Sequence, residues 1–103
     1  MVARYESRMA AMPTNTTSVK VSLNISHTYR GDLEVTLTSP SGRVVTLHNR
    51  TGGSADNVIL TNQDVSSSFS GSNPNGTWKL SMRDRAARDT GKLNSVSLTI
   101  SSR

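Results

Sequence analysis

Four aspartates lie in segments that the sequence predicts as loops, and carboxylates are the side chains here best suited to binding a metal ion. Calcium takes about six to eight oxygen ligands from carboxylates, backbone carbonyls and water. Loops that meet at one end of a fold can converge on such an ion, so the sequence predicts a possible calcium site. Its candidate ligands are Asp32, Asp56, Asp84 and Asp89. The alternative is that Asp32 and Asp89 accept hydrogen bonds from the amides of their own turns.

Catalytic machinery is not visible among the other polar residues. A serine nucleophile needs a base within hydrogen-bond reach and a third group that orients the base. The chain has two histidines, His27 and His48, but no Gly-x-Ser-x-Gly motif of the kind that presents a nucleophile. Zinc needs three or four ligands, and the chain has neither cysteine nor a His-Glu-x-x-His motif. We therefore expect no catalytic residue, no cofactor besides calcium and no enzymatic activity of this chain by itself.

Charge and hydropathy argue against two classes of partner. The chain carries 12 Lys and Arg against 7 Asp and Glu. Its densest cationic stretch, residues 83–89, is interrupted by Asp84 and Asp89 and has no aromatic residue for base stacking. Apolar runs are only a few residues long, far short of the roughly 20 that span a bilayer. We predict neither nucleic-acid binding nor a membrane segment.

Residues 1–6 lack the apolar core of a signal peptide, which indicates a cytosolic protein or a piece of a secreted one.

Four segments alternate apolar and polar residues with the period of two that is typical of a strand with one face in a core. They are residues 19–26, 33–38, 77–82 and 95–100. Ser39-Pro40-Ser41-Gly42 has the composition of a tight turn, so residues 33–48 are predicted to form a hairpin. No segment shows the 3.6-residue apolar period of a helix, and residues 65–69 are predicted as extended.

These patterns predict an all-β protein, an antiparallel β-sandwich of jelly-roll type with about eight strands and almost no helix. Inward-facing aliphatic side chains and Trp78 would form its core. A chain of 103 residues has room for one such domain. Residues 1–17 show little periodicity and are predicted without a strand. Residues 1–18 are therefore assigned to a lead-in segment, or a remnant added to the natural chain, and residues 19–103 to the sandwich.

Three stretches of sequence together resemble the P domain, or Homo B domain, of subtilisin/kexin-type proprotein convertases and of many secreted bacterial proteases. The first, residues 27–42, contains Gly31-Asp32-Leu33 and Ser39-Pro40-Ser41-Gly42. The second is Asn75-Gly76-Thr77-Trp78, and the third contains Asp84 and Asp89-Thr90-Gly91. The resemblance covers about residues 19–101. Arg43 stands where the family has threonine.

The resemblance implies a β-sandwich that follows the catalytic domain of a protease and supports the folding and stability of that domain. The expected function is therefore that of a non-catalytic accessory domain in a secreted, extracellular endopeptidase. The parent would be a serine endopeptidase of the subtilisin/kexin type, which is favoured, or a bacterial metalloprotease. The partner would be the protease domain of the same parent chain, and the isolated domain would be monomeric. Calcium is implied for some bacterial members.

An alternative of a different class is an autonomous module that anchors a secreted enzyme to an insoluble protein or polysaccharide. Such a module would present exposed aromatic residues in a row. Its candidates here are Tyr5, Tyr29 and Trp78, of which Trp78 alternates in phase with Leu80 and Met82 and is predicted to lie in the core.

Overall fold

The computed structural model describes residues 2–27, 32–50, 56–84 and 91–103 of the chain. These residues form seven strands and one short helix. In chain order they are β1 (Val2–Met9), β2 (Thr16–His27), β3 (Leu33–Thr38), β4 (Val44–Asn49), β5 (Val58–Asp64), α1 (Ser66–Phe69), β6 (Gly76–Asp84) and β7 (Gly91–Ser102). The helix has four residues, and no helix in the described part of the chain has the length and apolarity of a membrane span.

The strands form two antiparallel sheets. The four-stranded sheet has the order β1-β6-β3-β4, and the three-stranded sheet has the order β5-β2-β7. The chain changes sheet at every connection between consecutive strands except the one between β3 and β4. This arrangement confirms the predicted all-β sandwich, with seven strands in the described residues where about eight were expected.

The core lies between the central strands of the two sheets. The inward-facing residues of β2 meet those of β3 and β6, and the members are Val19, Val21, Leu23, Ile25, Leu33, Val35, Leu37, Trp78, Leu80 and Met82. Each has at most 2% of its surface exposed. Their alternation with polar residues is the reason that one face of each strand enters the core while the other meets water.

Trp78 and Phe69 are the largest side chains in this core. Their rings meet edge to face, with centroids 5.1 Å apart and an interplanar angle of 68°. The indole N–H of Trp78 donates to the carbonyl oxygen of Pro74 at 2.9 Å, so its one polar atom is satisfied. At about 25 cal/mol per Å², each ring contributes roughly 5 kcal/mol of gross transfer free energy.

Two local predictions were wrong. Residues 1–17 were predicted without a strand, but Val2–Met9 forms β1 and pairs with β6 over its full length. In β1 the half-buried positions alternate with exposed charged ones, but one of the half-buried residues is Ser7, which interrupts the apolar signal. The division of the chain at residue 18 stays a prediction.

Residues 65–69 were predicted as extended and instead contain α1, which places Phe69 against Trp78. The turn before α1 is held by Asp64, whose carboxylate accepts hydrogen bonds from the hydroxyl and the N–H of Ser66. These two bonds hold the pKa of Asp64 below its ordinary value.

The predicted hairpin of β3 and β4 is confirmed. Ser39 accepts a hydrogen bond from the N–H of Gly42 at 3.0 Å and donates its own N–H to Arg43 at 2.8 Å. Gly42 has a φ of 91°, a conformation that costs glycine little. The turn brings Pro40 against the start of β6, where a Cβ added to Gly76 would lie 2.7 Å from the Pro40 Cβ.

We expect Gly76→Ala to destabilise the protein by about 1–3 kcal/mol more than Gly71→Ala. Both glycines have positive φ, but a Cβ at Gly71 would meet nothing within 4 Å. The Gly71 variant therefore measures a backbone cost without a clash, and the difference measures the clash with Pro40 together with the larger φ of Gly76, 122° against 83°. Urea unfolding of the two variants gives both values, and equal losses would contradict the predicted close contact.

Candidate functional site

One end of the sandwich, here called the tip, contains His27, Asp32, Asp56, Asn57 and Asp84. Strand pairing brings these residues to the same end, because β2 and β6 finish there while β3, β5 and β7 begin there. His27 lies opposite Gly91, Ile25 opposite Val58, and Leu33 opposite Asp84. The described residues that flank the predicted loops therefore lie together at one end of the sandwich.

A buried pair joins the two sheets at the tip. Nε2 of His27, at the end of β2, lies 3.0 Å from Oδ2 of Asp84, at the end of β6. Neither side chain has any exposed surface. The pair therefore connects the three-stranded sheet to the four-stranded sheet from inside the sandwich.

Asn57 fixes the backbone of His27. Its Oδ1 accepts the His27 N–H at 2.9 Å, and its own N–H donates to the His27 carbonyl oxygen at 2.8 Å. Asn57 has a φ of 65°, a conformation that asparagine tolerates better than most residues. These bonds hold the start of β5 beside the end of β2. Asn57 was not singled out in the sequence, where its position just before a short apolar run was the only available signal.

The four predicted calcium ligands have different surroundings. Asp32 is half-buried just before β3, and Asp56 is exposed just before β5. Asp84 is engaged by His27, and Asp89 lies outside the described residues. Within residues 2–27, 32–50, 56–84 and 91–103, no three acidic, histidine or cysteine side chains come together as metal ligands.

The calcium site predicted from these four aspartates stays a prediction. Calcium needs about six to eight oxygens around one point, and one oxygen of Asp84 contacts the His27 ring. The pair is unsuited to acid–base catalysis on a substrate, because a general base must reach the proton that it removes. A His27 side chain with no exposed surface does not meet that requirement. The tip pair therefore has a structural role.

The opposite end, here called the base, contains Met12, Thr16, Ser72, Asn75 and Arg103 and is closed by hydrogen bonds. The N–H and the hydroxyl of Thr16 both donate to the Ser72 carbonyl oxygen, at 3.0 and 2.7 Å. Asn75 accepts the Met12 N–H at 2.8 Å and donates to the Met12 carbonyl oxygen at 2.9 Å. Backbone bonds also join Asn15 and Arg103. These hydrogen bonds join three segments of the base: residues 12–16, residues 72–75 and the C-terminal residue Arg103.

Arg43 also acts near the base. Its guanidinium donates to the Ser70 carbonyl oxygen at 3.1 Å, which links the β3–β4 turn to the segment after α1. Arg43, which stands where the family motif has threonine, therefore makes a contact that the shorter threonine side chain could not reach.

The model of the proprotein convertase P-domain family matches residues 16–100 of the chain. The chain belongs to this family. The resemblance in the motifs of residues 27–42, 75–78 and 84–91 is thereby confirmed.

Relatives of this P domain include bacterial proteins that are named as proteases. The chain is 49% identical over 82 residues to leupeptin-inactivating enzyme 1 of Streptomyces exfoliatus, covering 80% of the chain and 18% of the relative. It is 42% identical over 90 residues to a calcium-dependent protease of Trichormus variabilis, covering 81% of the chain and 14% of the relative. It is 41% identical over 83 residues to a transglutaminase-activating metalloprotease of Streptomyces mobaraensis, covering 80% and 10%. The P domain thus spans less than a fifth of these relatives.

Among solved structures, the serine protease of Aeromonas sobria contains a similar fold. The superposition covers 94% of this chain and 22% of that protein, with a TM-score of 0.68 and 23% sequence identity. This likeness concerns the fold.

We expect loss of either member of the tip pair to cost about 2–4 kcal/mol of unfolding free energy, because the remaining buried polar group loses its contact with the other member. The test is a double-mutant cycle with His27→Leu and Asp84→Leu, measured by urea unfolding. Because the two side chains interact, the double variant should lose less than the sum of the single losses. Asp56→Leu, at an exposed position, is the matched control, with a change within about 0.5 kcal/mol. Strictly additive losses would show that the pair is not coupled.

Proposed function

We propose that this P domain is the non-catalytic accessory domain of a secreted, extracellular protease and that it stabilises the catalytic domain of the same parent chain. The observation that carries this proposal is the match to relatives at 41–49% identity that are many times longer than the domain, two of them named as proteases. The structure supports a non-catalytic role, since the His27–Asp84 pair is buried away from any substrate.

The mechanism is thermodynamic linkage. A surface that binds only the folded form of the catalytic domain stabilises that form by mass action. Because the two domains share one chain, the effective concentration of the P domain is about millimolar, and even a weak interface is populated. A rigid sandwich suits this role because it presents its surface without a further ordering cost.

The decisive experiment unfolds the P domain inside the parent protein. Trp78→Ala leaves a large cavity in the core and lowers the free energy of unfolding by about 3–5 kcal/mol. That loss is a large part of the stability of a domain of this size. We expect the parent variant to show a lower Tm of the catalytic domain and a lower yield of folded enzyme, and deletion of the P domain to do the same. Ser97→Ala, an exposed change on β7, is the matched control. An unchanged Tm, yield and activity in the Trp78 and deletion variants would refute the proposal.

The serine type of the parent endopeptidase is the finer part of the proposal. The match to the proprotein convertase P-domain family supports it, while one relative is named as a metalloprotease. A serine-directed phosphonylating reagent should abolish the activity of the parent, and the zinc chelator phenanthroline should leave it intact. The reverse result would assign the parent to the metalloproteases.

Calcium binding at the aspartates of the tip also stays a proposal. It is supported by two relatives, from Trichormus variabilis and a Nostoc strain, that are named as calcium-dependent proteases. Because Asp84 is engaged by His27, Asp32 and Asp56 are the described donors that remain available.

Calcium should raise the Tm of the wild-type parent protein relative to a chelator, and Asp32→Asn with Asp56→Asn should remove part of that rise. Asp64→Asn, far from the tip, is the control that keeps the full rise. An equal rise in all variants would place the ion elsewhere in the parent.

The alternative of an anchoring module finds no support in the described aromatic residues. Trp78 and Phe69 have no exposed surface, and Tyr5 packs against the core from the half-buried face of β1. Tyr29 lies outside the described residues. Binding of the domain to collagen, cellulose or chitin in a pull-down would revive that alternative.

A further inference from the structure

Strand β7 is an edge of the three-stranded sheet, and its middle part is regular. Among the described strands it pairs with β2 alone. Asn94 is an extra residue in β7, and the next irregularity of this pairing lies opposite Ser101 and Ser102. Residues 95–101 therefore form an uninterrupted ladder with β2, and no strand of the described chain pairs with their other side.

Two observations show which backbone groups of this ladder point away from β2. Arg103 exchanges both of its backbone hydrogen bonds with Asn15, just before β2, at 2.9 and 3.2 Å. Val19 lies opposite Ile100 but forms its backbone hydrogen bonds on the side away from β7, with residues 65 and 66. The direction of the N–H and C=O groups alternates along an antiparallel strand. The residues of the ladder that direct both groups outward from the edge are therefore Val96, Leu98 and Ile100.

The side chains of residues 95–101 are self-complementary about Leu98. The half-buried members, which pack against the core, are Val96, Leu98 and Ile100. The exposed members are Ser95, Ser97, Thr99 and Ser101. When a second copy runs antiparallel with the two Leu98 residues opposite each other, every apolar residue faces an apolar one and every hydroxyl faces a hydroxyl. The outward backbone groups then form three reciprocal pairs, or about six hydrogen bonds.

The other three edge strands carry features that disfavour such pairing. In β4, Leu47 is an extra residue relative to β3. In β5, an extra residue lies near Asn62, which has a φ of 47°. Bulges of this kind and exposed charges protect edges from pairing with other chains. β1 uses charges instead, since its exposed residues include Arg4, Glu6 and Arg8.

We infer that β7 is a dimerisation edge, at which two copies of this chain pair antiparallel about Leu98 and join their three-stranded sheets into one. The contact uses the same residues on both copies and closes with two-fold symmetry. Main-chain hydrogen bonds supply affinity, and the alternation of apolar and hydroxyl side chains fixes the register. The family resemblance implied a monomer, whereas this edge points to a dimer. The inference does not depend on the proposed function.

The experiment places charges at two exposed positions that face each other across the proposed pair. One variant of the full chain carries Ser97→Asp with Thr99→Asp, and the other carries Ser97→Lys with Thr99→Lys. Ser97 of one copy lies opposite Thr99 of the second, so each variant alone puts like charges opposite each other. We expect a wild-type dimer in sedimentation velocity and a dissociation constant raised roughly tenfold or more in each variant.

An equimolar mixture of the two double variants tests the register. Opposite charges then face each other, and we expect native mass spectrometry to show a mixed dimer that neither variant forms alone. Thr61→Asp with Gln63→Asp, at exposed positions on the β5 edge, is the matched control and should keep the wild-type dissociation constant. If a double variant does not fold, Ser97→Lys alone serves, because it puts two like charges diagonally across the pair.

Three results would overturn the inference. The first is a wild-type chain that stays monomeric from micromolar to millimolar concentration. The second is a dimer that the charges on β7 leave unchanged or that the β5 control weakens equally. The third is a mixture of the two β7 variants that stays monomeric, which would exclude pairing about Leu98.

Discussion

The contact between Trp78 and Phe69 is the interaction on which the arrangement of the two sheets depends. Trp78 comes from β6 in the four-stranded sheet, and Phe69 comes from α1, which follows the three-stranded sheet. Their rings fill the space between the layers near the base, and the aliphatic residues of β2 and β3 continue the core toward the tip. Because α1 is only one turn long, its position comes from the packing of Phe69 and the turn at Asp64 rather than from helix propensity.

The two ends of the sandwich are closed by different means. The base uses many neutral hydrogen bonds, most of them from backbone groups of Met12, Thr16, Gly71 and Ser72. The tip uses one buried His–Asp pair beneath a surface of mixed charge.

Much of this architecture could be predicted from the sequence. Strands β2, β3, β6 and β7 follow from strict alternation, and the β3–β4 hairpin follows from Pro40 and Gly42. β1 could not be predicted because Ser7 stands in an inward position, and α1 could not because four residues carry no measurable helical period. In both cases pairing with, or packing on, distant strands supplies the stability that the local sequence lacks.

The candidate site was predictable only in part. The positions of Asp32 and Asp56 outside the strands were correct, whereas Asp84 is the last residue of β6, and topology brings all three to one end. The partner of Asp84 was not predictable, because His27 is 57 residues away in the chain and belongs to the other sheet. The local sequence identifies polar side chains. Which two of them pair in the interior depends on how the two sheets pack against each other.

Strand β7 forms an edge of the three-stranded sheet, and residues 93–102 contain neither a charged residue nor a proline. Soluble proteins commonly protect long edge strands with such residues, because the unpaired amides and carbonyls of an edge can hydrogen-bond to another chain. At high concentration, the isolated domain can therefore aggregate by forming intermolecular β-sheet hydrogen bonds along β7. A lysine placed at Ser97, on the outward face, would interrupt that route without touching the core.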